Sequence, residues 1–199
     1  MLYSGIVSLT QKLISVDELI ELAKKSGLTG VEWSSNCHVP EDDLDFVASV
    51  KEKCDKAGLR IFSYGSYYRA GQGMESTQLL KAAKTLGAPN IRIWAGSKGS
   101  AVVEESERAE WTKELTAFVD EAAEYGLTVS FEYHNNTLTD DADSAIRLIK
   151  EIDRPNVYLY WQPNQFKDVD FNTAALTKIL PYVTNVHTFC CRPRTSSPC

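Results

Sequence analysis

Charged side chains end or interrupt several short apolar segments of this 199-residue sequence, at positions that could carry out chemistry. Glu132 ends the apolar segment 128–132. Because a buried carboxylate must be paired or bind a metal, this position predicts a functional site. His187 lies in another apolar segment, where the interior of a sheet would otherwise take Val or Leu, and we interpret it as a ligand.

Arg92 and His134 extend this set. Arg92 stands between Ile91 and Ile93 and faces the opposite side of its segment, where a guanidinium requires an anionic partner such as Glu132 or a substrate oxygen. His134 follows Glu132 by two residues and points to the same side of an extended chain. A substrate donor and a structural cap are equally supported interpretations of His134.

Aromatic and amide side chains stand at comparable positions in the other segments. A tryptophan at such a position is either a core residue or a wall against the apolar face of a sugar ring, and the sequence supports both. The predicted substrate-binding residues are Trp33, His38, Tyr64, Arg92, Trp94, His134 and Gln162.

These residues belong to a repeating unit in which an amphipathic helix, a Gly or Pro stop and a short apolar strand follow one another. The stops are at Gly27, Gly58, Gly87, Gly126 and Pro155. Most of their intervals are close to the ~30 residues of one strand–helix–strand unit. Seven strands are predicted, at residues 5–8, 30–33, 60–64, 90–94, 128–132, 156–161 and 185–189.

Caps and periodicity predict the helices between these strands. Ser15 and Glu18 have the spacing of a capping box, and Pro40 suits the first turn of the second helix. Apolar residues that share one face of the fourth and fifth helices indicate that each buries a single side. They are Trp111, Leu115, Phe118 and Ala122, and Ala145, Ile149 and Ile152.

Alternating strands and one-sided helices predict parallel strands, either in a closed barrel or in an open doubly wound sheet. The open sheet requires a glycine-rich phosphate turn after the first strand, and residues 8–11 contain no glycine. We therefore predict an α/β fold of the TIM-type (β/α)8 kind, incomplete, with about seven parallel strands and no nucleotide cofactor. Its site should lie at the carboxyl ends of the strands.

Composition narrows the partners and the compartment. The 21 Lys and Arg residues against 27 Asp and Glu give a net charge of -6, which provides no extended basic surface for nucleic acid. No apolar run approaches the ~20 residues that a bilayer requires, and the start of the sequence has no leader pattern. The five cysteines lack zinc-ligand spacing, and we expect Cys54 in the core and free thiols elsewhere. The predicted location is the cytoplasm.

The order and spacing of these segments resemble the sugar phosphate isomerases and epimerases of the xylose-isomerase-like barrel superfamily. The likeness runs through residues 5–7, 30–33, 87–96, 131–134 and 186–187. It implies an enzyme that moves a proton next to the carbonyl group of a small sugar or sugar phosphate, with Glu132 as the base. It further implies that Arg92 and His134 position the substrate.

The resemblance also implies a divalent metal, usually manganese, magnesium, zinc or cobalt. In this family the ligands are a Glu after the fifth strand, an Asp on the sixth, a His on the seventh and a Glu on the eighth. Glu132 and His187 match the first and third positions, and Gln162 offers a neutral amide where the family has a carboxylate. The fourth ligand has no counterpart in the sequence.

We expect the barrel domain to span residues 1–189 and an irregular tail to span 190–199, with the eighth strand and helix missing. Strands one and seven would then expose their edges, which predicts pairing with a second copy or coverage by the tail. A non-catalytic sugar-binding or vestigial barrel is the alternative function. An endonuclease IV-like repair enzyme is disfavoured, because three histidines and an acidic balance suit a multi-zinc centre on DNA poorly.

Overall fold

A computed structural model describes residues 2–189, in which strands and helices alternate along the chain. The strands are β1 (Gly5–Val7), β2 (Gly30–Ser34), β3 (Arg60–Arg69), β4 (Asn90–Trp94), β5 (Thr128–Glu132), β6 (Val157–Trp161) and β7 (Val183–Val186). The helices are α1 (Val16–Lys25), α2 (Leu44–Ala57), α3 (Thr77–Leu86), α4 (Glu105–Glu124), α5 (Ala142–Ile152) and α6 (Val169–Ile179).

The seven strands form one parallel sheet in the order in which they occur along the chain. The sheet curls into a half-barrel with the helices between its strands, so the predicted incomplete TIM-type barrel is confirmed. Within residues 2–189, β1 and β7 are the two edges of the sheet. Since all strands run in the same direction, their carboxyl ends meet at one rim.

Side-chain caps determine where the first two helices begin. The predicted capping box is confirmed, because Ser15 Oγ accepts from the Glu18 N–H at 3.2 Å and Glu18 Oε2 accepts from the Ser15 N–H at 2.7 Å. The prediction that Pro40 lies in the first turn of the second helix is wrong. That helix begins at Leu44, since Asp43 Oδ1 accepts from the Phe46 N–H at 2.9 Å.

The last strand lies two residues nearer the N-terminus than its predicted start. A 3-10 turn at Leu180–Tyr182, with Pro181 near its beginning, follows α6 directly and leads into Val183. His187 therefore stands just after β7 rather than within it. Its N–H still donates to the Trp161 carbonyl at 2.8 Å, which holds the residue against the end of β6.

The apolar core lies between the sheet and the helices. Ile91 and Ile93 of β4 and Val129 and Phe131 of β5 are fully buried, as alternate residues of a strand that face the helices should be. The predicted inner faces of α4 and α5 are confirmed, because all seven of their named residues are buried. Cys54 of α2 also lies in the core, as expected.

Polar side chains also lie inside the half-barrel. Asn90 Oδ1 accepts from Ser63 Oγ at 3.0 Å, and Asn90 Nδ2 donates to Ser130 Oγ at 2.8 Å. Ser130 Oγ in turn lies 3.0 Å from Thr184 Oγ1. Strands β3, β4, β5 and β7 are thus linked by side-chain hydrogen bonds, which satisfy polar groups that would be costly to bury unpaired.

Some predictions concern residues beyond those described. Cys37 and Cys54 are free thiols, whereas Cys190, Cys191, Cys199 and the predicted tail at 190–199 lie outside the described residues. Among the helices of residues 2–189, none is both long enough and apolar enough to cross a membrane.

A candidate active site at the carboxyl ends of the strands

A cavity of about 660 Å³ opens at the carboxyl rim of the half-barrel. Its volume lies within the range of ~300–1,000 Å³ that is usual for small-molecule sites. Six of the nine predicted site residues line it, and they come from β4 and β5 and from the segments after β5, β6 and β7. These residues are Arg92, Trp94, Glu132, His134, Gln162 and His187.

Arg92 lies between two buried carboxylates at the base of this cavity. Its Nε donates to Glu32 Oε1 at 2.9 Å, and its Nη1 donates to Glu132 Oε2. All three side chains are less than a tenth exposed. Arg92 therefore has two anionic partners, the predicted Glu132 and, in addition, Glu32 of β2.

Gly65 makes room for this arrangement on β3, the strand between Glu32 and Arg92. A Cβ atom at Gly65 would stand 2.7 Å from both Glu32 Oε1 and Arg92 Nη2, too close for either contact. The ion pair thus crosses β3 over a position that has no side chain.

His187 completes the buried network from the other side. Its Nε2 lies 3.0 Å from Glu32 Oε2, and its ring packs on the Tyr160 ring with centroids 4.3 Å apart. Burial by itself raises the pKa of Glu32, but the charge of Arg92 and the hydrogen bond from His187 outweigh it and lower that pKa to about 2. Glu32 is therefore ionised at neutral pH. Burial, together with the charge of Glu32, raises the pKa of Tyr160, whose hydroxyl stays protonated.

An aromatic wall forms one side of the cavity. The Trp94 ring lies 4.2 Å from the His134 ring and 6.2 Å from the Tyr67 ring, centroid to centroid, and the Arg69 guanidinium stacks on it at 3.6 Å. His134 Nδ1 lies 2.8 Å from the Asn135 carbonyl oxygen. Because that oxygen can only accept, His134 carries a proton on Nδ1.

Three predicted substrate-binding residues do not reach the cavity. Trp33 is fully buried in the core, and the Tyr64 hydroxyl donates to the Val39 carbonyl at 2.6 Å. His38 Nε2 donates to the Ile14 carbonyl at 3.0 Å, and its other ring nitrogen faces Cys37. These three side chains pack within the fold, and their contact with a substrate stays a prediction.

Strand alternation explains these placements and could have found the residues that were missed. Successive residues of a strand face opposite sides of the sheet. Glu32 faces the interior, so its neighbour Trp33 faces the helices. Gly65 likewise lies on the interior side of β3, and its neighbour Tyr64 faces the helices. Glu32 interrupts an apolar strand as Glu132 does, so the same signal indicates a site residue at this position. Gly65 carried no chemical signal of its own.

The described residues do not fit the divalent metal centre that the family resemblance implies. Such a centre usually takes three or more protein ligands. Glu132 and His187 line the cavity, but Gln162 contributes a neutral amide, and residues 2–189 contain no group of three or more His, Cys, Asp or Glu side chains that could hold a metal. Arg92 already places a cation beside Glu132.

Comparison with known proteins identifies relatives of this fold. The family model described as xylose isomerase-like TIM barrel matches residues 20–187. A 3-dehydroshikimate dehydratase of Bacillus anthracis is 26% identical over 164 aligned residues, which cover 76% of this chain. The chain spans 57% of the length of that curated relative.

Solved structures agree on the fold. The probable 3-DHS dehydratase AsbF of Bacillus anthracis matches with a TM-score of 0.80 at 21% identity, covering 94% of this chain and 72% of that one. A D-psicose 3-epimerase of Clostridium cellulolyticum H10 matches with a TM-score of 0.77 at 16% identity, with the same coverage of both chains. At 21% and 16% identity, the likeness to these structures shows a shared fold alone.

Proposed function

The chain belongs to the xylose isomerase-like TIM barrel family, and on that premise we propose that its cavity removes and returns a proton at a carbon beside the carbonyl group of a small sugar. The observation that carries this proposal is that Glu132, His134 and His187 line one cavity with an aromatic wall. A carboxylate and two imidazoles are the side chains most often used for general acid–base catalysis.

In the proposed reaction Glu132 takes the proton from the carbon, and the electron pair of the C–H bond moves to the carbonyl oxygen to give an enolate. Return of a proton to the opposite face of the same carbon gives the epimer. Return of the proton to the former carbonyl carbon gives the isomer when the neighbouring hydroxyl loses its proton to become the new carbonyl and the former carbonyl oxygen takes up a proton. His134 and His187 are the lining groups that carry this second proton, because the free ring nitrogen of either histidine can accept a proton from solvent and then pass it to the carbon. Trp94 offers a flat surface to the sugar ring.

The charge of the lining favours an uncharged sugar over a sugar phosphate. Arg92 is the only Lys or Arg among the described residues of the lining, and it already donates to two carboxylates. Among the described residues, no further Lys or Arg belongs to the lining, and the Arg69 guanidinium is stacked on the Trp94 ring. A phosphate site typically uses a cation that is not already engaged in this way.

A dehydratase is the second candidate, and the 26% identity to the 3-dehydroshikimate dehydratase favours it. Loss of water from a hydroxy ketone begins with the same removal of a proton beside the carbonyl. The enolate then expels a hydroxyl group from the next carbon, and a histidine that has accepted a proton from solvent passes it to this group to make water. Arg92 is the only Lys or Arg among the described lining residues and is already bound to two carboxylates, which favours the epimerase over an enzyme for a carboxylate substrate.

Proton exchange with solvent tests both candidates. The protein is incubated in D2O with D-psicose, D-tagatose, D-fructose or 3-dehydroshikimate, and deuterium at the carbon beside the carbonyl is followed by NMR. We expect incorporation into a ketose and a loss of at least ~100-fold in Glu132→Gln. Glu110→Gln, on the exposed surface of α4, is the matched control and should keep the parent rate.

Other outcomes separate the alternatives. An ultraviolet-absorbing aromatic product from 3-dehydroshikimate would support the dehydratase. Saturable binding of a ketose without any deuterium incorporation would support the non-catalytic sugar-binding barrel. Equal exchange rates in the parent and in Glu132→Gln would contradict the assigned base.

A further inference from the structure

We propose that Glu32 is a positioning residue that holds the proton of the His187 ring on Nε2 and leaves Nδ1 as the atom that accepts a proton. The inference deepens the proposed function, and its meaning for catalysis rests on that function. It concerns a residue that contributes no surface to the cavity and acts through one that does.

The contact between the two side chains determines the tautomer. Glu32 Oε2 lies 3.0 Å from His187 Nε2. A carboxylate that is ionised can only accept hydrogen bonds, so in the neutral ring the hydrogen must be on Nε2. The other carboxylate oxygen, Oε1, accepts from Arg92 Nε at 2.9 Å, and this buried cation favours the ionised form of Glu32.

The rest of the network fixes the carboxylate that makes this contact. Glu32 Oε1 accepts from Arg92 Nε at 2.9 Å, and the same guanidinium donates to Glu132. The missing side chain at Gly65 is what allows Glu32 and Arg92 to meet, since a Cβ there would approach both to 2.7 Å. One buried cation thus orients both the proposed base and the partner of His187.

His187 is held from its backbone as well. Its N–H donates to the Trp161 carbonyl at 2.8 Å, and its ring packs against Tyr160. With the ring fixed and Nε2 engaged, Nδ1 is the ring nitrogen available to a ligand of the cavity. His134 has the reverse arrangement, because its Nδ1 donates to the Asn135 carbonyl and leaves Nε2 available.

Nitrogen NMR of protein labelled with 15N-histidine measures these tautomers directly. The chain has three histidines, and a His187→Gln variant assigns the signal of His187. At a pH where the ring shifts show His187 to be neutral, we expect the Nε2–H form for His187 and the Nδ1–H form for His134. His38 donates from Nε2 to the Ile14 carbonyl, so its signal is a reference for the Nε2–H form.

Glu32→Gln should reverse the tautomer of His187. The Nε–H of Arg92 still requires an acceptor, so the amide oxygen takes that place and the amide nitrogen faces the ring. Two donors would then meet at Nε2 unless the ring proton moves to Nδ1. The signals of His38 and His134 should not change, because neither ring contacts Glu32.

Gly65→Ala tests the same contact with the carboxylate intact, and it guards against a Glu32→Gln variant that does not fold. Its added Cβ should displace Glu32 and make the His187 Nε2–H exchange faster with solvent than in the parent. An Nδ1–H form of His187 in the parent protein would overturn the proposal. So would an unchanged Nε2–H form in Glu32→Gln, or unchanged exchange in Gly65→Ala.

These spectra need no substrate. A parent protein that exchanges no ketose proton would defeat the proposed function and leave the tautomer measurement valid. Conversely, an active protein with the wrong His187 tautomer would defeat only the role of Glu32.

Discussion

At the level of single residues, Arg92 is a guanidinium buried between Glu32 and Glu132. Taking such a group out of water is costly, and the cost is offset when the geometry is good and the partners are ionised. A buried ion pair of this kind is weak evidence for high stability. It does fix the direction in which both carboxylates point.

Replacing the guanidinium should expose this balance. Arg92→Met leaves two buried carboxylates without a cation, and we expect the free energy of unfolding to fall by about 3–5 kcal/mol. Urea unfolding measures it. The matched control is Arg154→Met, because Arg154 pairs with Asp120 at 2.6 Å on the surface, where such pairs contribute ~1 kcal/mol or less. Equal losses in the two variants would contradict the buried network.

Acid should remove the contribution of the ionised Glu32 side chain to the free energy of unfolding. Its pKa is about 2 in the folded protein against an ordinary value of 4.5, so its stabilising effect is fully present above pH 4.5 and is lost as the pH falls towards 2. The shift corresponds to about 3 kcal/mol. Urea unfolding at a series of acidic pH values gives the free energy of unfolding as a function of pH. The slope of that free energy against pH should be smaller in Glu32→Gln than in the parent. A slope that Glu32→Gln leaves unchanged would refute this assignment, and Glu110→Gln provides the comparison on the surface.

At the level of elements, the helix starts show which local signals are strong. The capping box of Ser15 and Glu18 satisfies backbone N–H groups that no helical carbonyl can reach. The start of α2 is determined in the same way by Asp43, three residues after Pro40. A side chain that accepts a hydrogen bond from an N–H group of the first turn is therefore a stronger signal for a helix start than a proline, which is only compatible with that turn.

Ser15→Ala should lower the free energy of unfolding by about 1 kcal/mol, because α1 loses its N-terminal hydrogen bond. Glu104→Ala serves as the control, since Glu104 occupies the same position before α4 and makes no capping bond with its side chain. Urea denaturation of the three proteins gives the comparison. A larger loss from Glu104→Ala than from Ser15→Ala would contradict the capping argument.

At the level of the whole molecule, the half-barrel has two open edges within the described residues. β1 and β7 each pair with a single neighbour there, and Val186 on β7 is about half exposed. Unpaired backbone groups and apolar side chains at an edge favour pairing with another strand. Association of copies through these edges, or coverage by residues 190–199, stays a prediction.

Sedimentation velocity tests the association. We expect a concentration-dependent dimer or larger species that Val186→Lys weakens at least ~10-fold, because a charge would be buried in the new interface. Val102→Lys, on an exposed residue of the segment between β4 and α4, should leave it unchanged. A monomer in which the amides of residues 183–186 that point away from β6 exchange without protection would exclude both pairing and coverage by the tail.

Much of the fold could be predicted because the signals that determine it are local. Glycine stops, the capping box and one-sided helices repeat along the chain, and parallel strands with crossovers leave few arrangements. The residues at which helices and strands begin are harder to predict, as the starts of β7 and α2 show. Their limits depend on a turn at Leu180–Tyr182 and on the Asp43 side chain, rather than on apolar periodicity.

The sequence by itself determined that polar residues gather at the carboxyl ends of parallel strands, since strand direction alone brings those ends together. Only the tertiary structure decided which of them share a cavity. The curl of the sheet brings Glu32, Arg92, Glu132 and His187 together across residues far apart in the chain. That result depends on the long-range pairing of charges and on a glycine that leaves room for it on the intervening strand, and no local pattern contains either of them.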